Sequence, residues 1–81
     1  METRQTIRRL IIDDLRWQGS PDELTDDLAL IDSHALDSLD MLRLVSLMEE
    51  KLGVEVRDED LVSQNFGSIE KIAAFVDSRR R

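Results

Sequence analysis

The start of the chain has apolar and charged residues that alternate with a helical period. One face carries Ile7, Leu10, Ile11 and then Asp14 or Leu15, at spacings of three and four. Thr3 or Thr6 can cap the N-terminus of this helix with a side-chain oxygen. The Gly-Ser-Pro sequence at 19–21 interrupts the pattern. We therefore expect an amphipathic first helix that ends before residue 19.

A long acidic connection follows, over residues 20–37. Connections of this length are uncommon in small domains unless they have a role of their own. This one carries four aliphatic side chains, Leu24, Leu28, Leu30 and Ile31. We expect these side chains to hold the connection against the core.

No glycine or proline interrupts the segment from residue 38 to residue 52. A stripe at helical spacing contains Met41, Leu44, Val45, Met48 and Leu52. Leu39, Leu42 and Leu47 lie outside this stripe, so the helix either buries two sides or offers one of them to a partner. We expect burial for Leu42 and Leu47. Gly53 then ends the helix, because glycine readily takes the left-handed conformation of a C-cap.

The remaining sequence predicts one short helix and one longer helix. An extended link leads into an acidic turn that can start a helix of one to two turns at Asp58. Ser68 can cap a last helix, and the arginines at 79–81 suit its C-terminus. The apolar face of that helix contains Ile69, Ile72, Ala73 and Val76. Together the elements predict an all-α four-helix bundle with a long first loop and a short third helix.

Composition agrees with a single helical domain over residues 1–81. The chain is 41% hydrophobic but only 4% aromatic, which disfavours a β-sandwich. It has no cysteine, so a disulfide framework and a thiolate metal site are both excluded. The apolar run near the N-terminus is short and flanked by charges, so neither a signal peptide nor a membrane span is expected. We expect a cytoplasmic monomer.

The charge of the chain is concentrated in its middle. Residues 13–60 hold 15 acidic and 4 basic side chains, whereas the two ends together hold 3 acidic and 7 basic side chains. The net charge of the whole chain is −7. Nucleic acid is not expected as a partner, because phosphate backbones bind clusters of Lys and Arg. The acidic middle suits a partner with a basic surface. Alternatively, it is a solvated surface that keeps the protein soluble, and charge alone favours this second interpretation.

The candidate chemistry centres on Ser38, which lies between two aspartates at the start of the long helix. Asp37 can accept from free backbone N–H groups there, and Asp40 can reach back to complete a capping box. A serine hydrolase with His34 as base is disfavoured, because His34 lies in a loop and no Gly-x-Ser-x-Gly turn surrounds the serine. Carboxylates at 37 and 40 would also oppose an oxyanion. We expect no catalytic residue and no metal site.

At the first position of a helix, the Ser38 hydroxyl projects where free N–H groups and the helix dipole favour an attached phosphate. Ser38 is then a modified residue and not a nucleophile with its own base. The alternative is a serine that is merely tolerated in the first turn of a helix, and local physics alone favours that alternative.

The motif Asp37-Ser38-Leu39 and its surroundings resemble the acyl carrier protein family, which includes peptidyl and aryl carrier proteins. The stretches that carry the likeness are "LDSLDMLRLVSLMEEKLGVEV" and "DEDLVSQNFGSIEKIAAFV", and it extends over residues 28–77. The resemblance implies a four-helix bundle and a 4′-phosphopantetheine arm on Ser38. A separate phosphopantetheinyl transferase would move that arm from coenzyme A, and acyl or aminoacyl groups would travel on it as thioesters. The carrier itself would catalyse nothing.

The resemblance also implies which residues partners would contact. The positions carried over are Asp37, Leu39, Asp40, Glu49 and Glu50. Solvated helix surface is an equally good interpretation for the two glutamates. Partners would be the transferase and an acyltransferase, ketosynthase or adenylating loading enzyme with a basic docking patch.

Several residues depart from the fatty-acid members of the family. Arg43 and Ser46 stand where those members commonly have a carboxylate and a methionine, and His34 stands where glycine is frequent. The "NFGSI" junction is more similar to free-standing carriers of polyketide or nonribosomal peptide pathways. We therefore expect a discrete carrier of specialised biosynthesis. A housekeeping fatty-acid carrier is the alternative within the family, and an acidic helical adaptor without a cofactor is the alternative outside it.

Overall fold

The computed structural model describes residues 2–15, 17, 19–33 and 36–79. These residues contain four α-helices. They are α1 (Glu2–Arg9), α2 (Ser38–Leu52), α3 (Ser63–Phe66) and α4 (Ile69–Arg79). Two 3₁₀ turns, Pro21–Glu23 and Asp58–Asp60, lie in the connections, and the described ranges include no strand. The predicted all-α bundle with a long first loop and a short third helix is confirmed.

The centre of the core lies between α1 and α4, the two helices that make the most extensive contact with each other. Four fully buried side chains lie there: Ile7 of α1, Ile11 of the π-helical segment that continues α1, and Ile72 and Val76 of α4. These are positions that the helical spacing predicted, because one apolar face of an amphipathic helix must be covered. We call this region the α1–α4 interface.

The predicted threonine cap of α1 is wrong. The helix already includes Glu2, so Thr3 and Thr6 both lie inside it. The Thr3 hydroxyl instead donates to the Asp77 carboxylate on α4 at 2.8 Å. This threonine therefore links two helices that are far apart in sequence.

The first helix widens into a π-helical segment, Leu10–Asp14, before it ends. The Leu15 N–H donates to the Leu10 carbonyl at 3.1 Å, and the Trp17 N–H donates to the Ile12 carbonyl at 3.3 Å. Both bonds span five residues, which defines a π-helix. The segment keeps Leu15 buried in the core.

The long first loop is held by side chains and by backbone. Leu24 and Leu30 are fully buried and Leu28 is half-buried, as predicted. The Arg8 guanidinium of α1 donates to the Leu24 carbonyl and to the Asp26 carboxylate. Burial predicted for Ile31 is wrong, because that side chain lies exposed at the edge of the bundle.

The bounds of α2 match the prediction, and Gly53 ends it with a left-handed φ of 67°. Leu44 and Met48 are buried, while the rest of the predicted stripe is half-buried. Leu47 is also half-buried. The predicted burial of Leu42 is wrong, since 56% of this residue is exposed. Only one face of α2 therefore rests on the core.

The C-terminal part follows the predicted order with one difference. The short helix expected from Asp58 is divided into the 3₁₀ turn and α3. The cap at Ser68 is confirmed, because its hydroxyl accepts from the Lys71 N–H at 3.2 Å. In the described part of the chain no helix combines the length and apolar content needed to cross a bilayer. His34 and the last two arginines lie outside the described residues.

Candidate functional site

A reciprocal pair of hydrogen bonds sets the start of α2. The Asp40 N–H donates to the Asp37 carboxylate at 2.8 Å, and the Asp37 N–H donates to the Asp40 carboxylate at 3.4 Å. The backbone at Asp37 is extended, with φ −90° and ψ −175°. This capping box satisfies amides that would otherwise lack a partner at a helix N-terminus. It makes Ser38 the first residue of the helix.

The loop that leads into this junction is hydrogen-bonded to the segment that connects α3 to α4. The Leu30 N–H donates to the Gly67 carbonyl at 2.8 Å, and the Leu36 N–H donates to the Leu30 carbonyl at 3.1 Å. Leu36 itself is buried. These contacts place Asp37, one residue further on, beside the segment that connects α3 to α4.

Ser38 is exposed, and its hydroxyl makes no hydrogen bond with any described residue. It stands at the N-terminus of a helix of 15 residues. The dipole of a helix places partial positive charge at this end. The hydroxyl is therefore free to react, and it lies at the positive end of the helix dipole, between the carboxylates of Asp37 and Asp40.

A cleft with a volume of about 350 Å³ opens beside this serine. Asp37 and Ser38 form part of its wall, and the other lining residues are Ile31, Leu36, Met41, Leu42, Leu61 and Phe66. We call it the Ser38 cleft. It is bounded by the long loop, by α2 and by the segment around α3, and most of its lining side chains are apolar. The cleft can therefore take an uncharged group next to the hydroxyl.

The outer face of α2 combines apolar and acidic side chains. Leu39 is 68% exposed. Asp37, Glu49 and Glu50 are exposed, and Asp40 is half-buried. Apolar side chains among charged ones are typical of surfaces that bind other proteins. We call the exposed surface formed by Asp37, Ser38, Leu39 and Leu42 the Ser38 face.

The described side chains around Ser38 do not form a nucleophile–base pair with it. No described side chain accepts the serine proton, and both neighbouring aspartates are engaged in the capping box. In these same residues no group of three or more His, Cys, Asp or Glu side chains could hold a metal ion. His34, which was weighed as a base, lies outside the described residues.

Residues 5–76 match the family model described as "Phosphopantetheine attachment site". The chain belongs to the acyl carrier protein family. Members of this family are carriers and not enzymes, and 4′-phosphopantetheine is their prosthetic group.

The chain is similar to three bacterial relatives named "Acyl carrier protein". That of Zymomonas mobilis is 25% identical over 79 residues, which cover 98% of this chain and 96% of the relative. That of Campylobacter hominis is 28% identical over 78 residues, covering 96% and 94%. That of Bdellovibrio bacteriovorus is 30% identical over 59 residues, or 73% of each chain. The similarity thus extends over nearly the whole length of two relatives.

The remaining predicted contact residues of this carrier lie along α2. Arg43 and Ser46 are exposed and share a shallow groove with Asp14, Leu42 and Leu47. The Glu49 carboxylate accepts from the Val56 N–H at 3.1 Å, so it also holds the link that follows α2. Glu50 makes no hydrogen bond or ion pair with a described residue.

Sequence reasoning did not identify the residues that form the Ser38 cleft. Ile31 and Leu61 come from two connections that are remote in sequence from the serine. Leu42 was expected in the core and instead lines the cleft. The one usable signal was the position of Leu42 outside the apolar stripe of α2, because a residue off the buried face is available to a ligand or a partner.

Proposed function

We propose that this chain is a carrier whose Ser38 bears the 4′-phosphopantetheine arm, with an acyl or aminoacyl group held on the arm as a thioester. The observation that carries the proposal is the free Ser38 hydroxyl at the first position of α2, within the Asp37-Ser38-Leu39 motif. It is exposed, unlike Ser68, the buried serine that caps α4.

The residues around Ser38 fit such an arm. A phosphodiester on the hydroxyl would lie at the positive end of the dipole of α2. The Asp37 and Asp40 carboxylates are already used by the capping box, so the helix start does not depend on the serine. Beyond the phosphate, the apolar Ser38 cleft borders the path of the arm. When bound, the group supplies a thiol that this cysteine-free chain lacks.

The attachment step needs a second protein. Oγ of Ser38 would form a bond to phosphorus while the pyrophosphate bond of coenzyme A breaks and the nucleotide leaves. The hydroxyl proton must go to a base, and no described side chain accepts a hydrogen bond from Ser38. We infer that a phosphopantetheinyl transferase provides this base, and that this chain provides the hydroxyl and a docking surface.

The docking surface of the proposal includes the carboxylates of Asp37, Asp40 and Glu50 and the exposed Leu39. An enzyme with a basic patch would be drawn to these acids, which raises the rate of encounter. The apolar side chain would then be buried in the complex. Glu49 is also exposed, and its carboxylate keeps its negative charge while it accepts from the Val56 N–H, so it adds to this surface.

We further propose a single carrier domain over residues 1–81, acting as a cytoplasmic monomer in polyketide or nonribosomal peptide biosynthesis. Arg43 and Ser46 support this pathway class, because they lie exposed on α2 and change the surface that a fatty-acid enzyme would meet. Loading would come from an acyltransferase, ketosynthase or adenylating enzyme. The name of the three relatives favours acyl cargo, which leaves the housekeeping fatty-acid carrier as second candidate.

The decisive experiment is intact mass before and after incubation with coenzyme A and a phosphopantetheinyl transferase of broad specificity. The wild type is expected to gain one phosphopantetheine, and Ser38→Ala is expected to gain none while keeping its fold. Ser78→Ala, which removes an exposed serine on α4, should be modified like the wild type. No gain by the folded wild type with several transferases would favour the adaptor without a cofactor.

The pathway is tested with Arg43→Glu and a malonyltransferase of fatty-acid synthesis. Loading of the modified variant should be faster than loading of the modified wild type, because the variant replaces a cation on an acidic helix face. Ser46→Met makes the second change towards a fatty-acid carrier. Efficient loading of the wild type, with no gain in either variant, would favour the housekeeping function.

A further inference from the structure

A buried carboxylate joins the segment before α3 to the C-terminal end of α4. Asp60 is buried, and its Oδ1 accepts from the Arg79 guanidinium at 2.7 Å. Its Oδ2 accepts from the Arg57 N–H at 3.0 Å, and its backbone carbonyl accepts from the Asn65 amide at 3.0 Å. Of these three donors, only Arg79 comes from α4.

Arg79 makes a second contact, with an aromatic ring. Its guanidinium carbon lies 4.9 Å from the centroid of Phe75, within the range of a cation–π interaction. The Phe75 ring packs against Phe66 at a centroid distance of 5.4 Å and an interplanar angle of 51°. Phe66 belongs to α3 and lines the Ser38 cleft.

Both series of contacts end in the same wall of the cleft. Leu61 follows Asp60 directly and lines the Ser38 cleft, with 38% of the residue exposed. Val62 is 42% exposed, so apolar burial holds residues 61 and 62 less firmly than it holds Phe66, which is fully buried. With four residues, α3 is also too short to be stable by itself. The contacts of Arg79 are therefore a restraint on this wall in addition to the burial of Phe66, and they act most directly on Leu61, which follows Asp60.

We propose that Arg79 is a positioning residue that holds the wall of the Ser38 cleft formed by Leu61 and Phe66 against α4. Loss of its contacts leaves the Asp60 carboxylate buried without a cationic partner, which favours movement of that carboxylate towards water. Leu61 moves with Asp60, and the cleft opens away from α2. The importance of this opening for a group on Ser38 rests on the proposed function, whereas the restraint itself does not.

Amide hydrogen exchange of the unmodified 81-residue chain tests the proposal. In Arg79→Gln, the amides of Leu61, Val62, Asn65 and Phe66 should exchange about tenfold faster, as expected when a partly buried ion pair is lost. Amides of α1 should keep their wild-type rates. Arg9→Gln is the matched control, because it removes an exposed guanidinium that has no ion pair with a described residue.

Arg79→Lys provides a second test if the glutamine variant does not fold. Lysine keeps the charge near Asp60 but lacks the planar guanidinium that stacks on Phe75. An intermediate acceleration, confined to residues 61–66, is expected. Unchanged exchange in this segment, or equal acceleration in α1, would overturn the proposal. Both variants keep the Ser38 start of α2, so the mass assay with the transferase tests the proposed function separately.

Discussion

At the α1–α4 interface, Ile7, Ile11, Ile72 and Val76 are fully buried, whereas on the Ser38 face Leu39 and Leu42 remain 68% and 56% exposed. The interface is also joined by polar contacts across long sequence distances, such as Thr3 to Asp77. The Ser38 face is instead organised by a local capping box. One region contributes to stability, and the other keeps apolar side chains available to a partner.

The difference is expected for a carrier that must be recognised by several enzymes. A fold that buried Leu39 and Leu42 would be more stable by the transfer free energy of these side chains, but it would have less surface to offer. Surrounding carboxylates keep such a surface soluble and attract basic partners. Substitutions in the two regions should therefore separate stability from recognition.

The largest loss of stability is expected from Ile72→Ala at the α1–α4 interface. The variant leaves a cavity in a fully buried site and should lower the free energy of unfolding by about 2–5 kcal/mol. Urea denaturation followed by circular dichroism measures this loss. A loss below about 0.5 kcal/mol, the size typical of surface positions, would contradict the central place given to this interface.

A smaller loss is expected from Asp26→Asn, which weakens the contacts between the long loop and α1. The Asp26 carboxylate accepts from Arg8 and from Arg4, the latter at 3.2 Å, and its side chain is 35% exposed. Partial exposure limits the expected loss to about 1–2 kcal/mol at low salt. Asp32→Asn, at an exposed site without an ion pair to a described residue, should change nothing. If both variants lose equal stability, the ion pairs are not the cause.

A loss of about 1 kcal/mol is expected from Asp37→Ala, which removes the cap of α2. Asp37→Asn keeps a capping oxygen and removes the charge, so it should retain nearly full stability. If the carboxylate also attracts the transferase, the asparagine variant should be modified more slowly than the wild type at low salt, and the difference should shrink at high salt. Equal modification rates at all salt concentrations would show that Asp37 acts through the cap alone.

The smallest effect on stability is expected from Leu42→Ala on the Ser38 face. Its side chain is more than half exposed, so unfolding free energy should change by less than about 0.5 kcal/mol. Modification by the transferase, or loading of the modified chain, should nevertheless slow. A stability loss as large as that of Ile72→Ala would remove the distinction between the two regions.

The elements that the sequence predicted well depend on local signals. The bounds of α2, the left-handed Gly53 and the cap at Ser68 each involve residues within a few positions of one another. The residue types that make such contacts can be recognised from a few neighbouring positions in the sequence. The buried face of α4 was also predicted, because its apolar spacing leaves one way to cover the helix.

The predictions that were wrong involve contacts between distant parts of the chain. Thr3 was assigned a capping role, but its hydroxyl finds Asp77 across the bundle. Leu42 was predicted to lie in the core because α2 is apolar on two faces, yet it is exposed. The sequence of α2 alone does not show which of these faces the other helices cover. The Ser38 cleft was not predicted for the same reason. Its walls come from the long loop, α2 and the segment around α3, which are distant from one another in the sequence.

The π-helical segment, Leu10–Asp14, determines how the fold responds to the deletion of one residue at this point. Each bond that spans five residues encloses one residue more than an α-helical bond. Removal of one residue here converts these bonds to the α-helical hydrogen-bond pattern and leaves Leu15 facing the core. The same deletion in an α-helix rotates every later side chain by about 100° around the helix axis. A single-residue deletion at this point therefore changes the type of helix and keeps the register of the side chains that follow.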